Sequence, residues 1–195
     1  MNNSKDTDNL NILPREFYAE NTVKVAKNLI GKRITRKIEN KILSGIITET
    51  EAYKHKEDPA SHAFRKITDR NKIMFDKVGL SYVYFTYGMH YCFNITARHP
   101  KTKAGAVLIR AILPDKGIEK MHQNRGNASF KNLTNGPAKL SQALQITKQQ
   151  YGVDVTRESE IFISEEGTDS KKIIASPRIG IHEAQDKLWN FKLKI

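Results

Sequence analysis

Apolar residues across Thr22–Leu29 recur at helical spacing, with Asn21 ahead of them as a candidate cap and Gly31 behind them as a stop. Two β-branched runs follow, Arg33–Ile38 and residues 42–53, separated by Glu39-Asn40-Lys41, and together they predict a hairpin. The apolar periodicity then disappears over residues 54–72, where Pro59 and several charges mark a long loop of the kind that carries function in compact domains. Residues 80–87 and 89–97 alternate like strands around Tyr87-Gly88, and residues 105–113 form a third apolar strand ended by Pro114. Helices are predicted over residues 115–124 and 137–146, the second with Asn135 as its cap and Pro137 in its first turn. Late strands are predicted over Ile161–Ser164 and residues 172–181. The sum is one mixed α/β (α+β) domain over residues 13–195, built around a largely antiparallel sheet, behind a disordered N-terminal tail of residues 1–12.

Composition narrows the class. A chain of 195 residues with 38% hydrophobic residues buries one ordinary core, and no stretch approaches the ~18 consecutive apolar residues of a membrane span. The polar, partly acidic start does not resemble a signal peptide, and the lone Cys92 has no partner for a disulfide, so a cytoplasmic location is expected, at the nucleoid in a bacterium. The net charge of +12 is unevenly spread: residues 21–157 carry +15, while the two ends are slightly acidic. That bias suits a polyanionic partner, because each Lys or Arg that meets a phosphate releases a counterion. A solvated basic surface has the same composition, so charge alone does not establish nucleic-acid binding.

Chemistry concentrates between Glu49 and Asn94. On a strand, Glu49, Glu51 and Tyr53 share one face, which sets carboxylates beside an aromatic ring. Glu-Thr-Glu alone equally describes a solvent-facing strand edge. The supply of Tyr53, His62, Tyr82, Tyr84, Tyr87, His90 and Tyr91 changes the picture, since aromatic faces stack on nucleobases at ~1–3 kcal/mol per base. Phe75, Phe85 and Phe93 are assigned to the core. Period two puts Tyr82 and Tyr84 on one face and leaves Tyr87 to the turn, where a Tyr-Gly-Met tip has the form of a wedge that fills the gap left by an extruded nucleotide. An ordinary hairpin with Gly88 at positive φ has the same sequence.

Other chemistries lack their residues. There is no HExxH, no Cys/His ligand spacing around His55 and His62, no zinc-deaminase signature, no GxGxxG and no phosphate-binding P-loop, so neither metal nor cofactor is expected. Cys92 lies within an apolar strand and reads as a small core residue.

Taken in order, ETEAY, DxASHA, RNxxMF, GxxYVYxxYGMHxCxN, AxLIRA and NGPAKLxQAL resemble the alkyladenine (3-methyladenine) DNA glycosylase family, from about Leu13 to the C-terminus. The resemblance implies a curved sheet with surrounding helices and a hairpin that enters DNA. It implies that Glu51 is the general base for the water that attacks the sugar C1′, with Arg110 positioning the water or a phosphate and the Ile179 backbone near that water. By the same resemblance Tyr53, His62 and Tyr84 sandwich the flipped purine, the bulk of Asn94 disfavours the 2-amino group of normal guanine, and Tyr87 replaces the flipped nucleotide. Met89, Met74, Arg70 and Thr68 fall where the family touches DNA. Two local departures stand out: Ala63-Phe64-Arg65-Lys66 lacks a glycine that relatives often carry before the threonine, and His90 stands where some members have tyrosine.

The resulting expectation is a monomeric, monofunctional DNA glycosylase of base excision repair, with double-stranded DNA containing damaged purines such as 3-methyladenine or hypoxanthine as its partner. No lysine occupies the matched catalytic position, so the product is an abasic site in an unbroken strand. A non-catalytic nucleic-acid-binding module would use the same basic and aromatic surface but leaves the glutamate beside the stacking wall unexplained. A small-nucleoside hydrolase conflicts with the basic centre and the protruding Tyr87.

Overall fold

The computed structural model of the chain describes residues 11–165 and 172–194. Most of the tail expected over residues 1–12 lies outside them; of the last two residues, Ile12 bridges Ser164 and the carbonyl of Asn11 accepts from the Glu165 N–H. Two helices open the domain, α1 (Arg15–Tyr18) and α2 (Thr22–Leu29). Asn21 caps α2 as expected, its side chain accepting from the Val23 N–H at 2.9 Å and satisfying one donor that the first turn would otherwise leave open. The apolar face of α2 buries Val25, Ala26 and Leu29.

Among the described residues the sheet has eight strands: β1 (Arg33–Ile38), β2 (Lys41–Tyr53), β3 (Ser81–Thr86), β4 (His90–Thr96), β5 (Ala106–Lys116), β6 (Ile161–Ser164), β7 (Ile173–Ser176) and β8 (Asn190–Leu193). Six of them run in the order β3-β4-β5-β2-β1-β6, and every pairing is antiparallel. The spine is β2. One edge pairs with β5 along most of its length; the other pairs first with β1 and then, from Glu49 to Glu51, with β8. Two partners on one edge curl the sheet, and register shifts around Ile47, Glu49 and Thr50 add local twist where the acidic residues sit. Two further helices, α3 (Ile118–Asn124) and α4 (Pro137–Ala143), complete this single α+β domain. The main core gathers Tyr18, Leu29, Ile34, Ile47, Phe93, Ile109 and Leu140. A second cluster of Ala63, Ile73, Met74, Tyr82, Ala104 and Ala106 packs beneath the long loop. Among the described residues no helix is long and apolar enough to cross a membrane.

Several boundaries differ from the sequence reading, each for a physical reason. Pro114 does not end β5; it pairs opposite Gly45 at a register shift, where the ladder is already irregular and a missing N–H costs little. The backbones approach so closely there that a Cβ on Gly45 would lie 2.6 Å from the Leu113 carbonyl oxygen. Because β5 runs on to Lys116, α3 starts only at Ile118, after Gly117 reverses the chain at φ 71°. The N-cap position of α4 is Gly136 rather than Asn135, with Pro137 at the start of the helix, and α4 stops at Ala143. The late strand expected over residues 172–181 shrinks to β7. Phe85 is not a core residue: it is 49% exposed and its ring contacts Tyr91 on the outer face of the hairpin. Phe75 is half-buried, and Phe93 is buried as expected.

Candidate active site

Both glutamates of β2 point into the protein. Glu51 is fully buried and Glu49 nearly so, because that part of β2 has a neighbour on each side, so the solvent-facing edge is excluded. Burial of a carboxylate is tolerated only when it is well bonded. Oε1 of Glu51 accepts from the Ile179 backbone N–H at 2.7 Å and from Asn190 Nδ2 at 3.1 Å; Oε2 accepts from the Tyr53 hydroxyl at 2.8 Å and from Arg110 Nη1 at 3.3 Å. These four donors match the four lone-pair directions of a carboxylate, so the group is held in one orientation. Glu49 binds the same two partners, Arg110 Nε at 3.1 Å and Asn190 Nδ2 at 2.8 Å, with Lys192 Nζ at 3.5 Å.

Next to Glu51 opens a cavity of about 260 Å³, lined by Tyr53, His62, Tyr84, Asn94, Arg110 and Ile179 among others. The catalytic and base-holding residues expected from the sequence therefore meet around one space, with Glu51 hydrogen-bonded to three of its walls. That volume lies below the ~300–1,000 Å³ of pockets for drug-sized ligands and suits one flat heterocycle. Burial pushes the hydroxyls of Tyr53 and Tyr84 up, the first further by the neighbouring Glu51, so both are protonated donors at neutral pH. Asn94 is buried, and its side-chain amide donates to the Tyr82 carbonyl at 3.0 Å, which fixes how it faces the cavity. Cys92 is buried too, as expected, and burial raises its thiol.

The long loop delivers His62. Its Nδ1 lies 2.8 Å from the Tyr82 hydroxyl and its ring meets Tyr84 edge-on, with centroids 4.7 Å apart. The loop is shaped from within by Asn71, which is buried and donates to the carbonyls of His62 at 2.6 Å and Lys66 at 2.9 Å while accepting from the Thr68 N–H at 2.7 Å. The His62 residue as a whole stays open at the cavity mouth, but crowding of the imidazole by the tyrosines, with the nearby Arg70 cation, pushes its pKa down to about 4. Its C–H resonances are expected to titrate near that value by NMR; a midpoint at the ordinary ~6.5 would contradict this packing. Linkage follows with a definite sign. As pH falls from ~6.5 toward 4 the unfolded chain takes up a proton that the folded chain refuses, so His62 weakens folding across that window.

Tyr87 and Met89 stand at the other end of the hairpin. Tyr87 and Gly88 both have positive φ, 51° and 67°, and the Met89 N–H closes a turn on the Thr86 carbonyl at 3.3 Å. A left-handed tyrosine costs ~1–3 kcal/mol, and here no packing offsets it, since Tyr87 is 85% exposed and Met89 69%. Arg70 and Thr68 are exposed on the loop beside the cavity. Met74, in contrast, is buried within the second core cluster and meets the cavity from its floor rather than on the outer surface.

Three residues escaped the sequence reading. Asn190 ties both glutamates together from β8, a strand of four residues in which Phe191 and Leu193 alternate into the core. Arg178 and Asp58 form a fully buried pair with two bonds of 2.6 and 2.7 Å, and the guanidinium stacks 4.7 Å over the Tyr53 ring and 5.1 Å from Trp189. The pair clamps the start of the long loop to the segment that carries Ile179, with Tyr53 held between. The resemblance pointed to Ile179 but gave no sign of what the preceding Arg178 does.

Comparison with known proteins bears on this arrangement. The family described as "Methylpurine-DNA glycosylase (MPG)" matches residues 16–195. A protein from Carboxydothermus hydrogenoformans is 45% identical over 184 residues, 94% of this chain and 95% of its own length. One from Desulfitobacterium hafniense is 42% identical over 93% of this chain and 95% of its own, and one from Prosthecochloris aestuarii 44% over 90% and 84%. All three carry the name "Putative 3-methyladenine DNA glycosylase". With a family match from the first helix to the C-terminus and relatives this similar along nearly their whole length, the chain belongs to the methylpurine-DNA glycosylase family.

Proposed function

We propose that this protein is a monomeric, monofunctional DNA glycosylase that flips damaged purines, 3-methyladenine and hypoxanthine among them, out of duplex DNA and hydrolyses their N-glycosidic bond. The observation that carries the reading is the buried Glu51 carboxylate, fixed by four donors of which three, Tyr53, Arg110 and Ile179, line a cavity the size of one base. Cleavage passes through a cationic, oxocarbenium-like sugar. Glu51 acts as general base toward a water and stabilises the cation that develops beside it. Arg110 makes the longest of the four contacts, 3.3 Å, and yields most readily to that water. Glu49 is engaged by Arg110, Asn190 and Lys192, which favours a mechanism with one working carboxylate and a leaving group that departs unaided when alkylation has made it cationic.

Tyr53, His62 and Tyr84 hold the base, and Asn94 restricts the room for a guanine 2-amino group. Among the described residues no lysine lines the cavity, so no amine is placed to form a Schiff base with the sugar, which supports release of an abasic site without strand scission. Arg110 and the Ile179 backbone complete the catalytic group, Thr68, Arg70 and Met89 border the path of the DNA, and Met74 meets the base from within the cavity. The test is incubation with duplexes carrying hypoxanthine and, separately, with free nucleosides. Free base and alkali-labile sites from duplex alone support the reading; duplex binding without release would indicate a non-catalytic module, and cleavage of nucleosides alone a nucleoside hydrolase.

Tyr87 is the residue that occupies the gap in the helix. Tyr87→Ala is expected to slow excision from duplex by roughly 5–150-fold, the equivalent of ~1–3 kcal/mol of lost stacking. Release from a single-stranded substrate, which has no gap to fill, is expected to change much less. Equal losses on both substrates, compared under single-turnover conditions, would rule out the wedge.

A further inference from the structure

Among the described residues three guanidinium groups border the base cavity or its aromatic walls, and two of them are neutralised by carboxylates. Arg110 is paired with Glu49 and Glu51, and Arg178, behind Tyr53, is paired with Asp58. Arg70 lies 4.6 Å over the ring of Tyr84 and lines the same cavity. Its adjacent acid, Asp69, is engaged by Lys72, and no carboxylate pairs with Arg70 among the described residues. The resemblance placed Arg70 at the DNA, whereas in the unbound protein its charge stands at the stacking wall.

This position has a chemical consequence. The face of a tyrosine attracts cations through its quadrupole, and that attraction would ordinarily favour a damaged base carrying a formal positive charge, such as an N7- or N3-alkylated purine. At Tyr84 the attraction is already satisfied by a guanidinium. An incoming cationic base meets a like charge that no carboxylate offsets among the described residues, at a cavity mouth where water screens it only in part. A neutral base such as hypoxanthine meets no such repulsion.

Building on the glycosylase reading above, we propose that Arg70 is a specificity-determining residue that biases the pocket against cationic alkylpurines and toward neutral damaged purines. It acts on the choice of base rather than on the chemistry at the sugar. A phosphate contact made by the same side chain would instead affect every substrate alike, so the ratio of two rates separates these roles.

Single-turnover rates of base release would be measured on duplexes containing hypoxanthine or 7-methylguanine, corrected for spontaneous depurination, for the wild type, Arg70→Gln and Arg70→Lys. Arg70 is exposed, so both variants are expected to fold. Arg70→Gln is expected to raise the ratio of the 7-methylguanine to the hypoxanthine rate roughly tenfold, the scale of one close like-charge contact in a partly screened site. Arg70→Lys, which keeps the charge but not the planar stack on Tyr84, is expected to shift the ratio in the same direction by clearly less than Arg70→Gln. An unchanged ratio in Arg70→Gln, with both rates falling together, would overturn the inference and leave Arg70 a phosphate contact. Failure of the wild type to release either base would overturn the glycosylase reading itself, a distinguishable result.

Discussion

Glu51→Gln is expected to lower single-turnover base release from hypoxanthine or 3-methyladenine duplexes by about 10²–10⁴-fold, the usual worth of a positioned general base, while leaving duplex affinity nearly intact. Affinity survives because it rests on the basic residues spread through residues 21–157, which the substitution does not touch. The amide is nearly isosteric but not equivalent. One end of the new side chain would be an NH₂ facing either the Ile179 N–H and Asn190, or Tyr53 and Arg110, so two donors would confront another donor. That mismatch costs about 1–3 kcal/mol of stability, and a thermal melt should accompany the kinetics to separate lost chemistry from lost fold. Substantial excision by a folded Glu51→Gln protein would remove Glu51 from the role of base.

The largest effect on stability is expected at Asp58. Replacing it with Ala leaves the Arg178 cation buried, with the Ala52 carbonyl at 3.0 Å as its remaining hydrogen-bond acceptor among the described residues. Breaking one side of a buried pair costs about 3–5 kcal/mol, a large share of the ~5–15 kcal/mol that holds a domain together. For a chain of this length that corresponds to a fall in melting temperature of roughly 10 °C. Activity should fall as well, because the clamp fixes the back of Tyr53 and the segment that presents the Ile179 N–H to Glu51. Replacing both partners by apolar residues of similar volume should restore much of the stability but not the placement of Tyr53. A loss of less than a few degrees in Asp58→Ala would mean that the pair contributes little.

The legible parts of the site are those governed by local rules. Alternation along β2 put Glu49, Glu51 and Tyr53 together, and the shared bonds to Arg110 and Asn190 show the two glutamates side by side despite the register shifts between them. Alternation along β3 paired Tyr82 with Tyr84, and the Tyr-Gly turn placed Tyr87 at a tip. His62 and Arg70 lie in a loop with no periodicity; the family resemblance brought His62 to the pocket but assigned Arg70 to the DNA, and its place over Tyr84 emerged only in the structure. Asn190 and Arg178 were beyond both. Asn190 reaches Glu49 and Glu51 through a pairing of β8 with β2 that spans about 140 residues of sequence, and although Phe191 and Leu193 alternate in β8, no local rule tells which strand so short an element joins. Phe85 misled for the opposite reason: an aromatic in an alternating strand reads as core, yet Phe85 sits near the tip of the hairpin, 49% exposed, with its ring against Tyr91.

Whether a damaged base leaves the duplex for this cavity is tested most directly by a crystal structure of the Glu51→Gln protein bound to a hypoxanthine-containing duplex. The predicted result has the hypoxanthine rotated out of the helix, lying among Tyr53, His62 and Tyr84, with Tyr87 filling the vacated position between the flanking base pairs. A hypoxanthine still paired within the helix, with the Tyr87 hairpin outside the groove and the cavity unfilled, would contradict it.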